Sequence, residues 1–245
     1  MTGKVPVVLS EAEMKSIFTL VTRFPWNVAK PVIAALGLAR GKGRDATYDK
    51  ILEELAELKD KNVQKFDEIV TSINNLIFGQ LIYGDKAFFS LKVEPTVIAK
   101  LLQLIKFDWD LSKQPSIVSE VILSEQEVNS SAKNKLELVQ YSEDGEQALV
   151  LFSSVREQKI REKISPKSIP QYSSYDEIIA TKKEKHQCFD VCILDKINSN
   201  IHILIDAGVN ILGESVPFAK RTVVRELYNY CGYDFESNEN DFFPL

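Results

Sequence analysis

Two aspartates, Asp190 and Asp206, sit in neighbouring segments of strand character, roughly His186–Ile197 and Ile201–Ala207. A three-residue loop at Asn198–Asn200 would fold these segments into a hairpin. It would place Val191 and Ile193 with Ile201, Ile203 and Ile205 on one buried face. Cys192 then lies opposite Asp206, with Asp190 on the diagonal. Two carboxylates on the second face of such a hairpin suit Mg2+ in phosphodiester cleavage, with Lys182, Lys183 and Glu184 as candidate helpers. The alternative is ordinary solvation, because antiparallel sheets commonly turn one polar face to water.

His186, Cys188 and Cys192 share strand parity, and His202 follows on the next segment. Zinc accepts that ligand set. The register opposes it: His202 would face Lys196, and Cys188 would lie many strand residues away. Half-buried thiols are the simpler expectation. Nucleophilic catalysis needs a base, and only His186 and His202 are histidines. The sequence contains neither a G-x-S-x-G elbow nor a Walker A loop.

The remaining constellation is cationic. Gly37-Leu38-Ala39 leads into Arg40-Gly41-Lys42-Gly43-Arg44, and a helical pattern starts directly afterwards. Lys30 lies upstream, within the expected second helix. Cations, glycine amides and a helix N-terminus in this order suit phosphate oxygens. The arrangement over Val28–Leu58 resembles the SAP helix–loop–helix module, in which a basic glycine-bearing turn joins two short helices. That resemblance implies DNA contact by the loop. This chain departs from what it implies at Asp45, Asp49, Glu53 and Glu54, acids that a DNA-facing helix disfavours. The bland alternative is a solvated interhelical loop.

A second basic set comprises Arg156, Lys159, Arg161, Lys163 and Lys167, with Lys220, Arg221 and Arg225 further on. Charged residues along an edge strand ordinarily guard against edge-to-edge pairing.

The elements that must position these groups follow from periodicity. Ser10 and Glu13 have capping-box spacing, and Met14, Ile17, Phe18, Val21 and Phe24 recur at helical intervals until Pro25. Asn27 is the expected cap of a second helix that carries Pro31 in its first turn and ends near Gly37. A third helix is expected from Asp45 or Thr47. A fourth carries Phe66, Ile69, Val70, Ile73, Leu76 and Ile77, and a fifth opens at Pro95. The stretch from Asp108 to Lys135 loosens into a connector with one apolar island, Ile117–Leu123. From Leu136 the period becomes two, and Leu136–Tyr141 and Ala148–Val155 flank a turn at Glu143–Glu146. A last helix spans about Glu214–Cys231. The acidic tail beyond it, with Phe235, Phe242 and Phe243, has the character of a docking segment or a frayed end.

Composition sets the class. Hydrophobic residues make up 44% and charged residues 27% of 245 residues, close to globular averages. No apolar run is long enough to span a bilayer, and the N-terminus lacks a secretory pattern. Three cysteines, an odd number with two close together, fit free thiols in a reducing cytoplasm. The net charge is −5, yet the first 44 residues hold seven basic and two acidic residues.

The expected fold is α+β: an all-helical N-terminal domain (1–110), a connector (111–134), then an antiparallel β-sheet domain with a C-terminal helix (135–245). The expected function is a non-catalytic interaction or adaptor subunit of a larger intracellular, cytoplasmic assembly. It would engage a protein partner and, through Lys30, Arg40, Lys42 and Arg44, an acidic partner or nucleic acid. It needs no cofactor or metal and no membrane. The enzymatic alternative is a metal-dependent nuclease using Asp190 and Asp206 with Mg2+.

Overall fold

The computed structural model describes residues 8–22, 24–112, 115, 118–207, 215–235 and 239–240. It is an α+β protein with seven α-helices and one six-stranded antiparallel sheet among those residues. Its contacts divide it into two compact units, residues 1–81 with 116–122, and residues 82–115 with 123–245.

The first unit is helical. Helix α1 (Glu11–Thr22) opens with the expected capping box: the Ser10 amide donates to Glu13 Oε2 at 2.6 Å, and the Glu13 amide donates to Ser10 Oγ at 3.3 Å. A cap of this kind stabilises a helix by roughly 1 kcal/mol. Helix α2 spans Trp26–Ala35, and its N-cap is Pro25 rather than Asn27. Proline already holds φ near −60°, and the Val28 and Ala29 amides donate to its carbonyl at 2.8 and 3.0 Å. Gly37 then takes a positive φ of 72°, the left-handed turn that ends helices. Helix α3 (Arg44–Lys61) begins one residue earlier than expected, after Gly43 at φ 99°. Helix α4 (Val63–Tyr83) runs past Gly79, so one glycine does not end it when a long apolar face is buried. Ile17, Leu20, Ile33, Ile51, Leu55, Ile73 and Ile77 are all essentially inaccessible.

The second unit contains the sheet, in the order β2-β3-β4-β5-β1-β6. Its strands are β1 (Lys86–Lys92), β2 (Glu137–Glu143), β3 (Gln147–Ile164), β4 (Ile178–Asp195), β5 (Asn200–Asp206) and β6 (Glu239–Asn240). Helices α5 (Pro95–Leu111) and α7 (Ser215–Cys231) pack on one face. Val97, Leu101, Ile105, Val223 and Leu227 meet Val150, Phe152, Cys192, Leu194, Ile201 and Ile203 there.

Strand β1 had no counterpart in the periodicity. Its neighbour Gly84 reads as the end of a helix, yet Lys86–Lys92 pairs along its full length with β5. Helix α5 therefore sits in the unit of the sheet, although its period of 3.6 matches that of the preceding helices. The connector holds a 3-10 turn (Val118–Val121) and helix α6 (Glu125–Ser130), whose capping box joins Ser124 and Glu127. Phe242 and Phe243 of the expected docking tail lie outside the described residues, and Phe235 is buried.

The expected register of β4 with β5 is corrected. Asp195 pairs with Asn200, Leu194 with Ile201 and Cys192 with Ile203. The connecting turn has four residues, Lys196–Ser199, because Ser199 takes a left-handed φ of 54° and the Asp195 carboxylate receives the Ile197 and Asn198 amides. One extra turn residue inverts parity. Cys192 and Leu194 therefore face the helices, while Val191 and Ile193 turn to the other side.

Candidate functional site

The most concentrated group of ionisable side chains lies where β4 parts from β5. Their ladder stops at Val191 and Leu204. Beyond that point β4 pairs with β3 alone among the described residues, so Phe189 and Asp206 keep their partners on β3 and β1 but have none across the β4–β5 seam. Side chains take that place. The Asp206 amide donates to Asp190 Oδ1 at 3.0 Å, and the Phe189 amide donates to Asp206 Oδ2 at 3.0 Å. Lys86 Nζ donates to the Phe189 carbonyl at 2.6 Å and lies 3.8 Å from Asp206 Oδ2. Arg156 closes the group: one guanidinium nitrogen donates to Asp190 Oδ2 and another to the Asp206 carbonyl at 3.4 Å.

The network is dry. Asp190 is fully buried, and the Arg156 and Lys86 side chains are 7% and 6% exposed. Burial holds the Lys86 amine below the ordinary lysine range, with the Asp206 charge acting against that shift. Burial likewise lowers the Arg156 guanidinium, with the Asp206 charge acting against that shift. Desolvation pushes the Cys188 thiol up to about 11 and the Cys192 thiol to about 12, so both are poor nucleophiles at neutral pH.

The structure thus brings Asp190 and Asp206 together, as the enzyme alternative requires, and adds Lys86, which no sequence pattern singles out. Lys182, Lys183 and Glu184 lie further out along β4. The donor set does not suit Mg2+. Both oxygens of Asp190 are already engaged by a guanidinium and an amide, and a cation beside Arg156 and Lys86 would meet two buried positive charges. Among the described residues, no group of three or more His, Cys, Asp or Glu is placed to hold a metal. Asp190 faces Phe152 across β3–β4, and Cys192 faces Ile203 rather than Asp206. His202 pairs across from Ile193, stacks on Phe88 at 5.4 Å, and has Nδ1 3.1 Å from Ser90 Oγ. Cys188, Cys192 and Cys231 are buried thiols outside any disulfide.

The basic loop separates into two kinds of cation. Arg44 is spent internally: Nη1 donates to the carbonyls of Val21, Thr22 and Phe24 at 2.5–3.0 Å, and its guanidinium lies 5.3 Å from the Trp26 ring centroid. It caps the C-terminal end of α1, where unpaired carbonyls accumulate negative partial charge. Lys30, Arg40 and Lys42 are exposed. Thr47 braces the loop by accepting from the Gly41 amide at 3.1 Å and donating to the Gly43 carbonyl at 2.6 Å. Glu54 accepts from the Ala39 amide at 2.7 Å, which accounts for one of the acids that follow the loop. A side chain at position 41 would meet the Ala46 carbonyl at 2.3 Å, so glycine is required there.

A search against models of known protein families gives no match, and a search of curated proteins gives none either. Among the described residues, no helix is long and apolar enough to cross a membrane.

Proposed function

We propose that this chain is a non-catalytic interaction subunit of a larger assembly, with Lys30, Arg40 and Lys42 as a contact for phosphate or an acidic partner. The observation that carries this reading is the use made of the ionisable cluster at the β4–β5 fork. Asp190, Asp206, Arg156 and Lys86 are directed at one another and at backbone groups that the parting strands would otherwise leave unpaired. A catalytic site needs reactive groups open to a substrate, whereas these are closed by mutual hydrogen bonds. Arg40 and Lys42 are held on a braced turn ahead of the N-terminus of α3, where amide groups add positive potential, and Lys30 lies on α2. Arg44 is left out of the contact because its guanidinium is committed to α1.

Native mass measurement of the chain recovered from its source should show a stable partner. Recovery of the monomer alone, at concentrations above those in the cell, would remove the assembly reading. The loop is tested separately by the triple variant Lys30→Gln, Arg40→Gln, Lys42→Gln. Its affinity for an anionic partner should fall and its salt dependence flatten relative to wild type.

A further inference from the structure

Strands β3 and β4 are each 18 residues long, more than twice the length of their neighbours. Strand β2 accompanies β3 only as far as Ser153, and β5 leaves β4 at Val191. From Arg156 to Ile164 and from Ile178 to His186 the two strands pair only with each other among the described residues. The result is a two-stranded ribbon of nine residue pairs, about 30 Å long at ~3.3 Å per residue. The buried Arg156–Asp190 network lies at its root, and a loop in which the exposed Tyr172 and Tyr175 rings meet edge to face lies at its tip.

The register sorts the ribbon's charges. Lys159 is opposite Lys183, Arg161 opposite Thr181, and Lys163 opposite Ile179. Alternation along each strand puts these residues on one side together with Glu157, which pairs with Lys185. Lys185 is tied to the Asn129 and Ser131 carbonyls near the end of α6, and Glu157 bonds Lys133 and lies 3.2 Å from Lys183. Further out, Lys159, Arg161, Lys163 and Lys183 are exposed on one face. Among the described residues, the acids that reach them are Glu157, at Lys183, and Glu177, 2.5 Å from Lys163 in a solvent-exposed pair. Like charges directly opposite on a ladder destabilise it. A lone edge charge suffices to prevent edge pairing, and it does not require two lysines to face each other. The Lys159–Lys183 pair therefore imposes a cost on the free ribbon that an anionic partner would relieve.

We propose that this face of the β3–β4 ribbon docks on duplex DNA, with the ribbon in the major groove and Lys159, Arg161, Lys163 and Lys183 contacting phosphates. A two-stranded β-ribbon fits the ~12 Å major groove of B-form DNA, whereas the major groove of A-form RNA is too deep and narrow to be read this way. Successive cations on one strand recur about every 6.7 Å, so the face presents a row of positive charge along the groove wall. The surface is independent of the Lys30–Arg40–Lys42 loop and belongs to the other compact unit.

The test is fluorescence anisotropy of a 25-bp DNA duplex with the full chain across a salt series. It compares wild type, the ribbon variant Lys159→Gln, Arg161→Gln, Lys163→Gln, Lys183→Gln, and the loop triple variant. Wild type should bind at low salt. The ribbon variant should bind about 100-fold more weakly, with the slope of log K against log salt reduced by about 3.6, near 0.9 for each of the four phosphates that are no longer neutralised. Removing the Lys159–Lys183 repulsion should leave the melting temperature of the ribbon variant equal to or above that of wild type, which separates weaker binding from impaired folding. No wild-type binding at 50 mM salt overturns the proposal, as does a ribbon variant that binds like wild type. Weaker binding in the loop variant alone overturns it too while leaving the loop reading intact. Equal or tighter binding to poly-glutamate would mean that the face serves an acidic protein surface, and it also overturns the DNA assignment.

Discussion

Replacing Asp190 with Ala tests whether the fork network is structural. The substitution leaves the Arg156 guanidinium, 7% exposed, without its counter-ion. It also leaves the Asp206 amide without its acceptor. Breaking a buried ion pair by removing one partner costs roughly 3–5 kcal/mol, and an orphaned amide about 1–3 kcal/mol. These terms overlap because both groups can relax toward water at the fork, so the expected loss is about 4 kcal/mol. The double variant Arg156→Leu, Asp190→Leu removes both charges and fills the space with apolar carbon. The Asp206 amide then stays unpaired and the Asp206 carbonyl loses its long contact with Arg156, and the expected loss is about 1–3 kcal/mol. The double variant should therefore be more stable than the single Asp190→Ala variant. Urea unfolding of the full chain, followed by far-ultraviolet circular dichroism, measures both losses. A single-variant loss below about 1 kcal/mol, or a double-variant loss equal to the sum of the two single-variant losses, would refute the structural role. Either result would reopen the acid pair as a site for chemistry.

Arg44→Ala should destabilise the helical unit by about 1–3 kcal/mol, because three carbonyls near the end of α1 lose their donor, whereas Lys42→Ala should be nearly neutral; thermal melts of the two variants check this. The three thiols should be silent to a thiol-reactive chromophore in native buffer at pH 8 and all react in denaturant, since all are buried and the Cys188 and Cys192 thiols titrate far above that pH. The Asp195 carboxyl is held below its ordinary range by the Asn198 amide and side chain. With its folded pKa lower than its unfolded one, its contribution is complete above the unfolded value of about 3.9 and disappears as pH falls through the folded value. The variant Asp195→Asn should therefore show a shallower acid limb of stability below about pH 4 than wild type, and an unchanged limb would remove Asp195 from the acid response.

Much of the fold was legible because it is local. The Ser10–Glu13 box, the apolar stripe of α4, Pro95 at the start of α5 and the shift to period two near Leu136 each depend on residues a few positions apart. Local pattern failed where a distant partner decided the outcome. Strand β1 is a seven-residue segment of mixed polarity that becomes a strand by pairing with β5, more than 100 positions later. The charged stretch after Val155 continues β3 because β4, more than twenty positions away at Arg156, pairs with it along its whole length. At the site, Asp190 and Asp206 were identifiable from residue type and proximity in the chain. Their engagement by Arg156 and Lys86 was not, since those residues come from other strands, 34 positions from Asp190 for Arg156 and 103 from Phe189 for Lys86.

The sequence by itself determined the helices, the β-rich character of the C-terminal half and the cationic bias of the first 44 residues. Capping, periodicity and composition act at short range and need no tertiary partner. Tertiary structure alone decided the sheet register, where one additional residue in the Lys196–Ser199 turn inverted which side chains face the core. It also decided which charges are committed and which are available. Arg44 lies in a basic run yet is committed to carbonyls near the end of α1, whereas Lys159 and Lys183 come from separate segments and meet only because the ladder sets them opposite each other. Charge is a property of the residue. Whether that charge remains available to a partner depends on the neighbours the fold supplies.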